Sequence, residues 1–237
     1  MHFRRCQPQL DTSDVTPDAE CHSQAQLELA IPPRDRSFFL DSPTMNHPAN
    51  VFTPVSSDSE RLILVDSSDQ PLGTISKVDA HKGNGELHRA FSIFLFAGES
   101  HVLLQKRAMK KLLWPGFWTN SCCSHPREGE TYAHATERRL EQELGIVDCP
   151  LHYIYTFEYS ARYRDLGSEH ELCSVYIATV SQSIEVLPHP DEVMDWQWFS
   201  CEEIDERVAN HPDSLTPWFV LEWQELRGKQ WPRVRSH

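Results

Sequence analysis

From Arg61 onward the chain alternates short apolar runs with turn residues, and that pattern predicts its elements. Arg61–Asp66 reads as a strand and Asp69–Gly73 as a turn. Ala90–Phe96 and His101–Lys106 read as two strands across a short turn at Gly98. Thr131–Leu144 reads as a helix with a narrow apolar stripe at Ala133, Leu140 and Leu144, stopped by Gly145. Strands follow at 151–160, 171–180 and 193–199, then helices near 200–210 and 217–227. Strands outnumber helices and their order is mixed. The expected fold class is therefore α+β, with a mixed sheet flanked by helices in α/β/α layers.

Residues 1–58 have a different texture. Proline recurs at 8, 17, 32, 33, 43, 48 and 54, glycine is absent, and apolar periodicity is poor. The expectation is a largely disordered extension with a short helix at Ala25–Ile31, followed by one domain over 59–237.

Charge and cysteine usage narrow the function classes. The formal net charge is −13, which argues against a nucleic-acid partner. An anionic small substrate stays open, because a local basic pocket can override the global field. The seven cysteines are odd in number and irregularly spaced, and no apolar stretch follows Arg4 and Arg5, so a reducing cytoplasm with free thiols is expected. No apolar run approaches the length of a membrane span.

Four features carry candidate chemistry. The first is Thr119–Pro126, a polar small-residue loop holding Cys122, Cys123 and His125. Cys-x-His fits a metal site, a nucleophile pair, or a buried thiol beside a surface histidine. The second is His81-x6-His88, in a chain with 13 histidines. The third is Glu169-His170-Glu171 at a strand entry. Alternation there puts both glutamates on one face and His170 on the other. Side-by-side carboxylates call for a cation or for solvent. Three histidines and two carboxylates suit a borderline divalent ion. The fourth is the helix, where Arg139 and Glu143 stand at the spacing of an intrahelical ion pair.

Ser124-x5-Glu130-x7-Arg138-Arg-Leu-Glu-Gln-Glu143-Leu-Gly145-Ile146 resembles a Nudix box with three departures: Ser124 for its Gly, Arg139 for a Glu, and Gln142 for the first Glu of the late pair. The type 1 isopentenyl-diphosphate isomerases, a branch of the Nudix superfamily, have such a degenerate box. The chain is similar to them from about Arg61 to Arg227, through Leu87–Ser92, Trp114–Ser121, Cys123–Pro126, Arg138–Gly145, Glu169–Glu171 and Thr216–Trp218.

The resemblance implies a Nudix-like fold and interconversion of isopentenyl and dimethylallyl diphosphate. It implies a metal set of His81, His88, His125, Glu169 and Glu171, holding Mn²⁺, Zn²⁺ or Mg²⁺. A second ion, Mg²⁺ bridging to the diphosphate, is implied at Glu143 and the Cys123 carbonyl. Cys123, Glu171 and Tyr159 match catalytic positions; Lys77, Arg107, Lys111, Arg139 and Trp218 match substrate-binding ones. Cys122 and Cys173 are then packed core residues. The implied protein is a monomer or homodimer. The competing readings are a Nudix diphosphate hydrolase, disfavoured by the lost carboxylates at 139 and 142, and a binding module without catalysis.

Overall fold

The computed structural model describes residues 55–236; the helix expected at Ala25–Ile31 lies outside them. In chain order the elements are β1 (Arg61–Val65), β2 (Pro71–Ser76), α1 (Lys77–Ala80), β3 (His88–Ala97), β4 (His101–Arg107), β5 (Trp118–Thr119), β6 (Cys122–Ser124), α2 (Tyr132–Leu144), β7 (His152–Tyr163), β8 (Gly167–Val180), β9 (Val193–Ser200), α3 (Cys201–Asn210), α4 (Pro217–Glu225) and α5 (Trp231–Val234). This is the expected α+β class. The turn read at 69–73 is displaced: Asp66 Oδ1 accepts the Ser68 and Gln70 amides, closing the turn early, and Pro71 already starts a strand. The loop read at 119–126 contains the end of β5 and all of β6. No helix of the described residues is long and apolar enough to cross a membrane.

β3 organises the nine-stranded sheet: it pairs antiparallel with β1, β4 and β6 and parallel with β8. Its near-continuous apolar run is explained by burial on both faces. Phe91, Ile93 and Leu95 pack toward α2 through Ala135, Leu140 and Leu144. Ala90, Phe94 and Phe96 pack on the other side with Ile204, Phe219 and Trp223 of α3 and α4.

α2 begins at Thr131, whose side chain accepts the His134 amide, and ends at Gly145 in the left-handed region. Its buried residues are Ala135, Thr136, Arg139, Leu140, Glu143 and Leu144, whereas Ala133 is exposed. The stripe therefore follows the i,i+4 rows 135–139–143 and 136–140–144, and Ala133, in the first turn, stays outside it. α3 opens with a full capping box between Ser200 and Glu203. α4 passes through a π turn at Leu226–Gln230 before α5, so the helix expected over 217–227 is interrupted at its end.

One buried group on α4 sets a pH response. Glu222 is 0% exposed; Cys173 Sγ donates to its Oε1 at 3.6 Å, and its Oε2 has no hydrogen-bond partner. Burial pushes its carboxyl from 4.5 up to about 8. Between these values the folded chain holds a proton that the unfolded chain has lost, so stability falls as pH rises through this window. The cost is on the order of 5 kcal/mol across the window. Glu222→Gln removes it. Chemical unfolding at pH 5 and pH 8 should show the variant gaining on wild type toward pH 8. A difference that does not change with pH refutes a neutral Glu222.

Candidate active site

A cavity of about 490 Å³ opens beside the ends of β3, β6, β7 and β8. At its floor five residues come together from distant segments, four of them lining the cavity and His88 standing behind. His81 caps the end of α1, His88 starts β3, His125 follows β6, and Glu169 and Glu171 lie on β8. The parallel pairing of β3 with β8 sets His88 opposite Glu171. β8 starts at Gly167, so both glutamates fall inside the strand and share a face, while His170 turns away to Glu158. Gly167 lies where a Cβ would come 2.3 Å from the His81 carbonyl oxygen. Glycine thus lets α1 press onto β8, and the Ser168 amide donates to that same carbonyl at 3.0 Å.

One ligand atom from each of the five lies within 4.8 Å of the others, and all five residues are buried. Their hydrogen bonds fit a metal. His81 Nδ1 and His88 Nδ1 each lie 2.6 Å from a backbone carbonyl, of Lys77 and Glu86. A carbonyl only accepts, so Nδ1 carries the proton and Nε2 turns into the cluster. His88 Nε2 and His125 Nδ1 are buried without a hydrogen-bond partner. Burial, then the neighbouring imidazoles, hold His125 well below its ordinary value; burial and His81 bring His88 down to about 4. Both rings are thereby neutral, the form that ligates. His81 is different. Burial opposes its charge, but Glu169 at 2.7 Å outweighs burial and raises it. The donor set, imidazoles with carboxylates in a buried pocket, could hold a divalent ion.

The two carboxyls divide in protonation. Burial works to raise Glu169, yet His81 outweighs it and brings it down to about 2. Burial, then the Glu169 charge, hold Glu171 well above the carboxylate range. Tyr159 O–H donates to Glu171 Oε2 at 2.6 Å, and His125 Nε2 lies 2.8 Å from Oε1.

β6 separates the adjacent cysteines by strand alternation. Cys122, 0% exposed, packs in the α2-side cluster. Cys123 turns to the cavity, where it lines the same space as Glu171 and Tyr159. Burial pushes the Cys123 thiol up to about 12, against the pull of Arg107, whose Nη1 lies 4.0 Å from Sγ. Arg107 is fixed by two hydrogen bonds to the Leu113 carbonyl and sits 5.2 Å from the Trp218 ring centroid. Trp218 is held in turn by Asn120 Oδ1, while Asn120 Nδ2 donates to the Cys122 carbonyl at 2.7 Å. Lys77 and Lys111 also line the cavity, and burial brings Lys77 down to about 8.

Ten of the sequence-predicted residues thus line one cavity: Lys77, His81, Arg107, Lys111, Cys123, His125, Tyr159, Glu169, Glu171 and Trp218. His88 stands behind it in the metal cluster. Arg139 and Glu143 do not line it. They form the buried ion pair on α2, and Gln105 Nε2 donates to the second Glu143 oxygen at 3.2 Å. Sequence reasoning missed Glu192, a cavity-lining carboxylate that carries no motif, and Asn120, whose buried bonding has no linear signal. It also placed residues 55–58 with the extension. In the structure Val55, Ser56 and Asp58 line the cavity mouth, and the Val55 carbonyl accepts from Arg139 at 2.9 Å.

The NUDIX domain family matches residues 86–219. Relatives include the isopentenyl-diphosphate Delta-isomerase 1 of Photorhabdus laumondii, 42% identical over 168 residues, covering 70% of this chain and 94% of the relative. The isopentenyl-diphosphate Delta-isomerase of Frankia alni is 40% identical over 169 residues, covering 71% of this chain and 86% of the relative. Among solved structures, a Deinococcus radiodurans protein is similar with a TM-score of 0.58 and 20% identity, covering 70% of this chain and 98% of that one. At that identity the likeness speaks for the fold alone.

Proposed function

The chain belongs to the isopentenyl-diphosphate Delta-isomerase family within the Nudix fold, and from that premise we infer that it interconverts isopentenyl and dimethylallyl diphosphate. The observation that carries this reading is the shared cavity: Cys123 and the Glu171–Tyr159 pair line the same space as Lys77, Arg107 and Lys111.

The reaction protonates an unactivated alkene and removes a proton two carbons away. Glu171 and Tyr159 supply the proton: the alkene π pair forms the new C–H bond at the terminal carbon, leaving a tertiary carbocation. Cys123 takes a proton from the far side of that cation, and the released C–H pair becomes the new double bond. In reverse the roles exchange. Each general acid–base step is worth roughly 10²–10⁴-fold. The thiolate is the minority form in a buried site, and Arg107 at 4.0 Å is the nearby charge that favours it. Trp218 and Tyr159 face the cation with aromatic quadrupoles, worth about 0.5–2 kcal/mol. Lys77, Arg107 and Lys111 hold the diphosphate, countering its departure from the allylic product.

His81, His88, His125, Glu169 and Glu171 would hold Mn²⁺, Zn²⁺ or Mg²⁺. The second Mg²⁺ that the resemblance implies at Glu143 and the Cys123 carbonyl does not fit that side chain as it stands, because Arg139 holds one Glu143 oxygen and Gln105 the other. Such ions supply positive charge that acidifies a bound carboxyl and neutralises phosphate.

Hydrolysis is the weaker reading. At the box positions where hydrolases carry carboxylates, Arg139 is bound to glutamates and Gln142 to Arg138. The test is incubation with isopentenyl diphosphate and divalent metal. An acid-labile allylic diphosphate is expected; release of phosphate without it would return the chain to the hydrolases.

A further inference from the structure

Arg139 and Glu143 leave the cavity wall for a reason visible in their neighbours. Arg139, 1% exposed, gives Nε to Glu143 Oε1 at 3.0 Å, Nη1 to the Val55 carbonyl at 2.9 Å, and places Nη2 3.4 Å from Glu192 Oε1. Glu192, 4% exposed, receives Lys111 Nζ on its other oxygen at 2.5 Å. The backbone fixes Glu192 as well. Its N–H donates to the His189 carbonyl at 3.0 Å, and its own carbonyl accepts the Ala108 amide at 2.9 Å. These four side chains form a line of alternating charge, Glu143–Arg139–Glu192–Lys111, running from α2 to the cavity.

We propose that this line is a positioning device for the diphosphate and that Glu192 is its essential link. Arg139 acts through Glu192 and does not grip phosphate itself. The proposal rests on the diphosphate reading of the cavity. An ammonium has three donors. Glu192 takes one from Lys111 and leaves two for phosphate oxygens. Lys77 and Lys111 repel each other across the cavity, and Arg139 adds to the positive charge that Lys77 faces. Without the Glu192 charge, Lys111 has every reason to swing to solvent, which its four-carbon stem allows. Arg139 and Glu143 in turn keep Glu192 from following it.

Glu192→Gln should raise KM for isopentenyl diphosphate about tenfold and weaken binding of inorganic diphosphate by the same factor, with kcat within about twofold. Lys111→Met should weaken diphosphate binding at least as much, and the double variant should bind no worse than Lys111→Met alone, because Glu192 acts only through Lys111. Glu192→Asp keeps the charge but shortens its reach; a smaller loss of the same sign is expected, and this arm serves if the glutamine variant does not fold. The proposal is overturned if the factors multiply in the double variant, if kcat falls with KM unchanged, or if Glu192→Asp binds inorganic diphosphate like wild type. Inorganic diphosphate binding needs no turnover. A wild-type chain without isomerase activity would therefore defeat the reaction assigned above, and the binding arms would still decide the ladder.

Discussion

Replacing Cys123 with alanine should lower turnover of isopentenyl diphosphate by about 10³-fold or more, because one of two required proton transfers loses its only group on that wall. The change should leave folding nearly untouched. Cys123 is only partly buried, and its contact with Arg107 at 4.0 Å is weak. Glu171→Gln should be equally severe, since an amide neither donates nor accepts the proton. Cys122→Ala is the informative control. That thiol packs against α2, away from the cavity, so its loss should cost stability and spare turnover. Rapid quench of product formation, with unfolding curves on the same samples, separates the effects. Near-normal turnover in Cys123→Ala would end the mechanism, and a dead Cys122→Ala would move the reacting thiol.

Removing divalent metal should abolish turnover and also lower stability. The second effect follows from the cluster. His88 Nε2 and His125 Nδ1 are buried without partners, and Glu169 and Glu171 sit side by side. A ion that satisfies these atoms binds the folded chain alone. At a thousandfold excess over Kd this is worth roughly 4 kcal/mol, a rise of roughly 8–16 °C in Tm for a domain of this size. The measurement is a thermal scan of chelated protein with Mn²⁺, Zn²⁺ or Mg²⁺ added back. His88→Ala should lose the rise, since its ring is fixed by the Glu86 carbonyl and points nowhere else. Identical midpoints with and without each ion would show that the cluster holds none of them.

Much of this was legible in the sequence, and the reasons differ by residue. Strand parity alone placed Glu169 and Glu171 on one face and His170 on the other, because alternation is a local property. β3 and α2 declared themselves by apolar pattern. Three histidines from separate segments could be joined only through resemblance, since parallel strand pairing leaves no linear trace. Alternation could have split Cys122 from Cys123 had β6 been recognised, but a three-residue strand of small polar residues looks like a loop. Arg139 shows the opposite case. Its i,i+4 spacing to Glu143 announced the ion pair it makes, and the resemblance pointed instead to phosphate. Glu192 was invisible because its partners come from α2 and from the segment after β4.

The parallel pairing of β3 with β8 also has a kinetic meaning. It joins His88 to Glu171 across nearly half of the domain, and closing so long a loop is entropically costly and slow. A chain emerging from the ribosome has no metal site until β8 has been made and has docked. Metal uptake during refolding is therefore a clock for that docking step, independent of when α3 and α4 form.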